Sequence, residues 1–506
     1  MKKIIGLFLM GTLGCAVFAA GQTQVQATAS VVLKFGTDAE PVGFDPHTIS
    51  AVASMRIISQ LYNTLINVDA NLNVVPELAL SWEQPDDVTY IFHLRRDVKF
   101  HNGRPMTAAD VKYSFERILD PAVGALGNSA SYAGGIESIT VIDDYTVQIK
   151  QKSINAPFLA SLSSSYCSIV AKEVVEANGG SLLRADGGTG PFTLGQWVPD
   201  NIVSVHKFPS YFVAGEPKLE TIEFYVMTDS SARLAALRTG NVDVINADTS
   251  MLSLVARDAN INTISYQSRN YSALFINTKK PQFADVRVRQ AISLALNRQE
   301  LIDIAYNGEA TISGFVPQSM GHWAVDVTKN ALYQQNLTRA KQLLIEAGYP
   351  NGFEVTIIVG LLDSLRDIGT VIQQQLSVIG IRANVVNKEN AEYVALWSAH
   401  DFELMVCQNG GGNDPSRAVA FFFGTGAGAN ISEYSNTRVD QLCSLAAATT
   451  DTAKREAYYK EAINIIIEEA PAIGVASPRE YFLASQKVKG FNPSASIPYN
   501  MAEVYF

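Results

Sequence analysis

Between Phe92 and Arg117 the chain carries, in one uninterrupted stretch, the signals for a strand, a tight turn and a helix start, and this limits the folds open to it more than any other segment. Phe92, Leu94, Val98 and Phe100 recur two or four apart, the pattern of a half-buried strand, and Asn102-Gly103 reaches positive φ readily in a hairpin turn. Pro105 predicts an extended entry, Thr107 stands at a helix N-cap, and Asp110 falls at the third helical position, where a carboxylate favours the exposed amides. A helix is therefore predicted from Ala108, with Val111, Phe115 and Ile118 as its apolar stripe, Lys112 and Glu116 as a solvent-facing pair, and Asp120-Pro121 as its stop. Nothing in the stretch is chemistry.

At 506 residues, 47% hydrophobic and 17% charged, the chain can bury large cores and exceeds one ordinary domain, so two or three domains are expected. A formal charge of -10 argues against nucleic acid as a partner. Lys2-Lys3, the apolar run Ile4 to Leu13 and the small residues through Ala20 follow the order of an export signal and are too short to span a bilayer. Two processing routes are open. Val17-Phe18-Ala19 suits cleavage that removes residues 1–19, with Ala27-Thr28-Ala29 a weaker site. Thr12-Leu13-Gly14-Cys15 resembles a lipobox, apart from Thr12 where Leu is usual, and would leave Cys15 lipidated and 1–14 removed. Both routes predict a protein of the periplasm or cell envelope. Cys167, Cys407 and Cys443 remain, an odd number without C-x-x-C spacing; they can form one disulfide at most, or be buried as small hydrophobes.

The signatures of catalysis are missing. His47, His93, His101, His206, His322 and His400 are scattered, and no H-E-x-x-H, C-x-x-C, EF-hand, P-loop or Gly-x-Ser-x-Gly string occurs. Gly424 to Gly428 looks superficially like a phosphate loop but has no suitable βαβ unit around it, and Asp86-Asp87 and Glu468-Glu469 fall where acidic pairs are ordinarily solvated. No catalytic residue, metal site or cofactor is expected. What remains is binding.

Elsewhere Val31 to Gly36 reads as a strand, Ser54 to Ile66 as a helix, and Ile139 to Ile149 as two short strands about Asp143-Asp144. Strand Val355 to Val359, helix Leu365 to Ile379, and strands Gly380 to Val386 and Phe402 to Cys407 alternate as in a parallel α/β domain. A last helix, Thr452 to Glu469, precedes a final strand pair around Ile473 to Leu483.

Several motifs carry a family resemblance: Phe44-Asp45-Pro46-His47, Leu61-Tyr62-Asn63-Thr64-Leu65, the Phe100 to Arg117 string, Gly188-Thr189-Gly190-Pro191-Phe192, Arg233 to Asp243, and Asp285 to Arg298. In this order they resemble the bacterial extracellular solute-binding proteins of family 5, the peptide, nickel and oligopeptide class that feeds ABC importers. The resemblance runs from about Leu33 to Phe491. It implies an α/β, periplasmic-binding-protein-like II fold: a first lobe from residues 30–70, 185–270 and 483–506, an accessory domain at 71–184, a second lobe at 271–482, and a hinge between the lobes. Gly190-Pro191 would mark a turn between domains. The implied function is capture of a peptide-like or other small polar solute between the lobes and its delivery to a permease, by a monomer. Presentation of the solute to a membrane receptor is the alternative from a different class, and an oligosaccharide or opine-like solute the alternative to peptide.

The resemblance also locates candidate contacts. In the family's peptide binders an aspartate three residues before an acidic-Pro pair holds the α-ammonium ion; here that pair is Asp414-Pro415 and the matching residue is Gly411. The arginine that takes the carboxylate in dipeptide binders has no counterpart in Ile357 to Leu362. Ser50 and Val52 match the loop that runs along an extended ligand, Tyr393 an aromatic wall, and Tyr271 lies at the crossover into the last lobe. Gln408 and Asn409, amides beside glycines, suit a neutral polar ligand. Against these stand plain packing readings for Val52, Tyr271 and Tyr393.

Overall fold

The Phe92 to Arg117 segment folds as a strand, Thr89–Leu94, and a helix, Ala108–Leu119, joined by a loop, in a computed structural model that describes residues 31–125, 133–496, 499 and 501–506. The expected leader and Cys15 lie outside the described residues. The strand stops sooner than its apolar pattern suggests. Arg95 turns back to pair with Asp97 at 2.9 Å, so Val98 and Phe100 enter the core from a loop closed by a bridge between Lys99 and Pro105. The helix begins at Ala108 as expected: the Asp110 carboxylate accepts the Thr107 N–H at 2.8 Å, and Arg104 closes on the same carboxylate at 2.6 Å.

This unit belongs to a four-stranded antiparallel sheet, ordered Ala79–Asp86, Thr89–Leu94, Thr146–Gln151, Ile136–Asp143. Val111, Phe115 and Ile118 join Phe92, Val147 and Ile149 in one buried core.

A twelve-stranded sheet organises the rest of the chain. On one side Val244–Ala247, Val32–Thr37 and Thr221–Val226 run parallel, followed by the antiparallel Ile202–Lys207 and Phe192–Val198. On the other, Arg382–Asn387, Glu354–Val359 and Leu404–Gly410 are parallel, and Asn270–Ile276 is antiparallel to the last of them. Both halves share the strand Ala472–Ser485. Its first part pairs with Asn270–Ile276 and its last part with Val244–Ala247 and Ile261–Gln267. The expected strand pair at the C-terminal end is therefore a single strand of 14 residues. Pro478, with no N–H to give to a ladder, stands where the strand changes partners.

Helix Val52–Leu61 starts and ends before the predicted Ser54 to Ile66. Its end is set by Glu77, which takes the Thr64 hydroxyl at 2.6 Å and the Asn63 amide at 2.8 Å and so holds these residues out of the helix. Gly190 also caps it, donating its N–H to the Leu61 carbonyl at 2.9 Å. A Cβ on Gly190 would lie 2.4 Å from the Gln60 oxygen, and one on Gly188 1.8 Å from the Leu61 oxygen, so these glycines serve close approach to the helix end rather than a turn. Cys167, Cys407 and Cys443 are free and buried, and burial pushes each thiol up to about 12.

The two regions are tied together by Arg117, the last residue of the opening stretch. Its guanidinium makes a bidentate pair with buried Asp45 at 2.6 and 3.0 Å, donates to His47 Nδ1 at 2.7 Å and reaches the Gly180 carbonyl at 3.0 Å. Asp45 also accepts the N–H groups of His47 and Leu182. Burial alone would raise the Asp45 carboxyl, but the Arg117 hydrogen bonds and charge prevail and hold it below its usual value. His47 Nε2 donates to the Ser168 carbonyl at 2.9 Å while Nδ1 accepts from Arg117, which fixes the neutral ring; burial and then the Arg117 charge push its pKa down to about 4.

The folded pKa of His47 lies below that of the unfolded chain, so the unfolded chain takes up the proton first as pH falls. Stability contributed by neutral His47 is complete above the unfolded value, near 6.5, and is lost between there and about 4. The loss amounts to about 3 kcal/mol at most, and the depressed Asp45 adds a further loss at lower pH. His47→Gln is expected to flatten the pH dependence of urea-unfolding free energy across this window. A slope as steep as that of the wild type would show that His47 does not carry it.

Candidate functional site

Strand directions locate the site before any side chain is considered. Ala472–Ser485 runs from the second half of the sheet into the first, and Val244–Ala247 is antiparallel to it, so that strand and its parallel neighbours Val32–Thr37 and Thr221–Val226 point their carboxyl ends toward the crossing near Pro478. Leu404–Gly410, Glu354–Val359 and Arg382–Asn387 point toward the same crossing from the other side. Ligands of open α/β sheets bind beyond strand carboxyl ends, and here both sets converge.

In the first lobe that edge leads into the loop held by the Asp45, His47 and Arg117 cluster, and then to Ser50 and Val52. Ser50 is exposed and Val52, the first residue of its helix, is 64% exposed. In the second lobe Leu361, Leu362 and Val394 are exposed apolar residues of the corresponding loops and helix. Tyr393 is half-buried, its hydroxyl donating to the Val406 carbonyl at 3.0 Å, and its ring lies 3.6 Å from where a Cβ of Gly360 would stand. Gln408 and Asn409 are half-buried at the end of their strand.

Other candidates sit differently. Tyr271 has no exposed surface; its ring meets Phe315 and Phe422 edge-on inside the core, the position that the packing reading describes. Asp414 is buried, its carboxylate accepting the Arg455 guanidinium at 2.7 Å and the Ser416 N–H at 2.9 Å, so it braces the loop. Gly411 is buried, with its N–H on the Arg269 carbonyl at 2.8 Å, and a Cβ there would come within 2.9 Å of both that carbonyl oxygen and Met320 Sδ, and within 3.3 Å of Pro317 Cδ. The position lacks not only a carboxylate but the room for one.

Several polar groups at the crossing carry no sequence motif. Arg56 pairs with Asp38 at 3.1 Å and hydrogen-bonds Thr37. Burial and the Asp38 charge raise the carboxyl of Glu480, and Arg56 opposes them. Burial likewise raises the Tyr306 hydroxyl, against which Ser272, Ser364 and Gln408 stand. A separate cavity of about 450 Å³ opens where helix Val52–Leu61, the Ser163 to Ser168 segment and the loop carrying Asn413 meet; its walls include Ser59, Asn63, Glu77, Tyr211 and Asn413. Burial raises the Glu77 carboxyl against the hydrogen bonds from Thr64 and Asn63. Among the described residues no group of three or more His, Cys, Asp or Glu side chains could hold a metal ion, and no helix is long and apolar enough to cross a membrane.

The family profile of the bacterial extracellular solute-binding proteins, family 5 (middle region), matches residues 73–430. The chain belongs to this family and has its two-lobed fold and solute-binding role. It is 29% identical over 523 residues to the dipeptide-binding protein of Escherichia coli K12, covering 96% of this chain and 97% of that one. Among solved structures it is similar to the periplasmic binding protein DppA of Helicobacter pylori in complex with peptide STSA (28% identity, TM-score 0.80, 94% of this chain and 98% of that one). It is also similar to the binding protein AgaA of A. tumefaciens R10 in complex with agropinic acid (26% identity, TM-score 0.82, with the same coverage of 94% and 98%).

The crowding at Gly411 predicts that Gly411→Ala destabilises the protein by about 1–3 kcal/mol through overpacking. Met320→Ala, itself destabilising in the buried core, is expected to make Gly411→Ala cost less in its background than in the wild type, because it clears one of the two closest atoms. Denaturant unfolding of the single and double variants measures both; an unchanged midpoint for Gly411→Ala would show that the position is open.

Proposed function

We propose that the chain is an exported binding protein, carried out by the Lys2 to Ala20 leader and anchored through Cys15 or free in the periplasm. It closes its lobes around a small solute and hands it, as a monomer, to the permease subunits of an ABC importer. Binding is the whole of its task, with no bond made or broken. We place the first lobe at residues 30–70, 185–270 and the chain's last segment, the accessory domain at 71–184, and the second lobe from 271. The partner change along Ala472–Ser485 supports a boundary at Pro478 rather than at 483. Ser50, Val52, Tyr393, Gln408 and Asn409 are the contacts we favour.

The solute we favour has no free α-ammonium group at the Gly411 position, and the carrying observation is the space there. An ammonium ion brought to this site finds the Arg269 carbonyl, Met320 and Pro317 in place of a carboxylate, and a buried cation without a counter-charge is costly. A modified or N-blocked peptide, an oligosaccharide or an opine-like conjugate meets no such penalty.

Titration calorimetry with di- to pentapeptides, their N-acetylated forms and oligosaccharides tests this. Free dipeptides are expected to bind no better than their acetylated forms. Micromolar affinity for a free dipeptide, abolished by acetylation, would refute it.

A further inference from the structure

Leu72 is out of place in two ways. Its backbone lies in the left-handed region, at φ 67°, where a β-carbon crowds the following carbonyl and glycine or asparagine is the ordinary occupant. Its side chain packs against the core that runs from Tyr271 to Ala472 in the second lobe. Among the described residues, Leu72 is the one apolar side chain from before Tyr271 that joins this core.

The turn itself does not need a leucine. Leu72 lies at the tip of a hairpin whose strands are Ile66–Val68 and Val74–Pro76. The Asp69 carboxylate accepts the N–H groups of Asn71 and Asn73 at 2.8 and 2.9 Å and the Asn73 side-chain amide at 2.9 Å, and the Asp69 carbonyl accepts the Leu72 N–H at 3.1 Å. Each of these bonds would form equally well with glycine at 72. A residue in a sparsely populated conformation persists where its surroundings over-determine it, and the surroundings of this side chain belong to the second lobe.

Polar contacts tie the same tip to the crossing. The Asp69 carbonyl also accepts Ser496 Oγ at 2.8 Å. Arg269, in the connection between strands Ile261–Gln267 and Asn270–Ile276, donates to Ser496 Oγ and to Asn413 Oδ1, the latter at 2.6 Å. Asn413 in turn donates from Nδ2 to Ser163 Oγ at 2.8 Å, and nearby in sequence the Ala156 N–H reaches the Ala447 carbonyl at 2.9 Å. Asn67, Ser163, Asn413 and Ser496 all line the 450 Å³ cavity, so the contacts that hold the two sides together also enclose it.

We propose that the hairpin tip is a latch for lobe closure: Leu72 seats against the second lobe's core when the lobes are together, and the unfavourable backbone at 72 is offset only in that state. This rests on the closing of two lobes in the reading above and adds the device that biases it. When the lobes part, Leu72 loses its apolar contact and keeps its strain. The closed arrangement is thereby favoured before any solute arrives, and the solute has less of the equilibrium left to shift.

The test measures the distance between the two sides in the full processed protein with no solute added. Nitroxide labels on Ser138→Cys and Lys341→Cys, exposed positions on strand Ile136–Asp143 and helix Leu337–Glu346, report it by double electron–electron resonance, while the buried Cys167, Cys407 and Cys443 stay unlabelled. Wild type is expected to give a short distance as its major population. Leu72→Gly and Leu72→Asn suit the left-handed backbone and remove the apolar contact, so each is expected to lower the ratio of short to long distances about threefold or more. Leu72→Met keeps the apolar bulk and is expected to retain the short distance. An unchanged distribution in Leu72→Gly and Leu72→Asn, whatever their melting temperatures, would make Leu72 an ordinary packing residue and overturn the latch. A wild type that is mainly open without solute, or a Leu72→Met as open as Leu72→Gly, would overturn it too. None of these outcomes touches the solute-binding reading, which the calorimetry above tests with solute present.

Discussion

The contact on which the candidate site depends is the buried ion pair of Arg117 with Asp45. Removing two charges from water is unfavourable unless their remaining hydrogen-bonding capacity is filled, and here it nearly is: Asp45 accepts two guanidinium bonds and two backbone N–H groups, while Arg117 adds His47 and Gly180. Only Arg117 Nε lacks an acceptor. The pair joins helix Ala108–Leu119 to the loop before helix Val52–Leu61 across 72 residues of sequence. Because Ser50 and Val52 follow directly on that loop, the pair helps to fix where these proposed contacts stand. Replacing the pair by apolar groups of similar size need not cost stability, yet it would remove the hydrogen bonds that fix Asp45 and His47.

A second constraint is topological. Two parallel sheet segments, each wound from its own part of the chain, can direct their strand ends at one another only if some strand runs through both. Ala472–Ser485 does so, and its pairing fixes how the strands of the two halves of the twelve-stranded sheet are directed. With Ser268 and Arg269 alongside, the crossing is narrow: the Ser268 N–H donates to the Pro478 carbonyl, and Ser477 Oγ donates to the Ser268 carbonyl. A narrow link of extended chain bends more readily than a packed helical interface, which suits closure about a hinge.

Much of this architecture was legible because it is written in local signals. The Thr107 and Asp110 helix start and the alternating strands and helix from Val355 to Cys407 rest on neighbouring residues, and each has its predicted element. What was missed depends on residues far apart in sequence. The expected pair of final strands is one strand that runs on through Pro478, and the change of partners there makes the proline tolerable. Tyr271 carries the β-strand signal but no signal for which face it presents, and it faces the core. Gly411 could be recognised as a missing carboxylate; that Met320 and Pro317 fill the space could not, since they arrive from another segment. Arg56, Glu480, Tyr306 and Glu77 belong to no motif and acquire meaning only where the chain brings them together.

The loss of a carboxylate at 411 and the packing of the Arg269 backbone are parts of one local arrangement. The Gly411 N–H is bonded to the Arg269 carbonyl, and a side chain at 411 would strike that same oxygen. An aspartate at 411 would therefore displace the Arg269 backbone. With glycine, the backbones close tightly and the Arg269 guanidinium is held by the neutral side chains of Asn413 and Ser496. Glycine at this single position thus removes both the acid and its room.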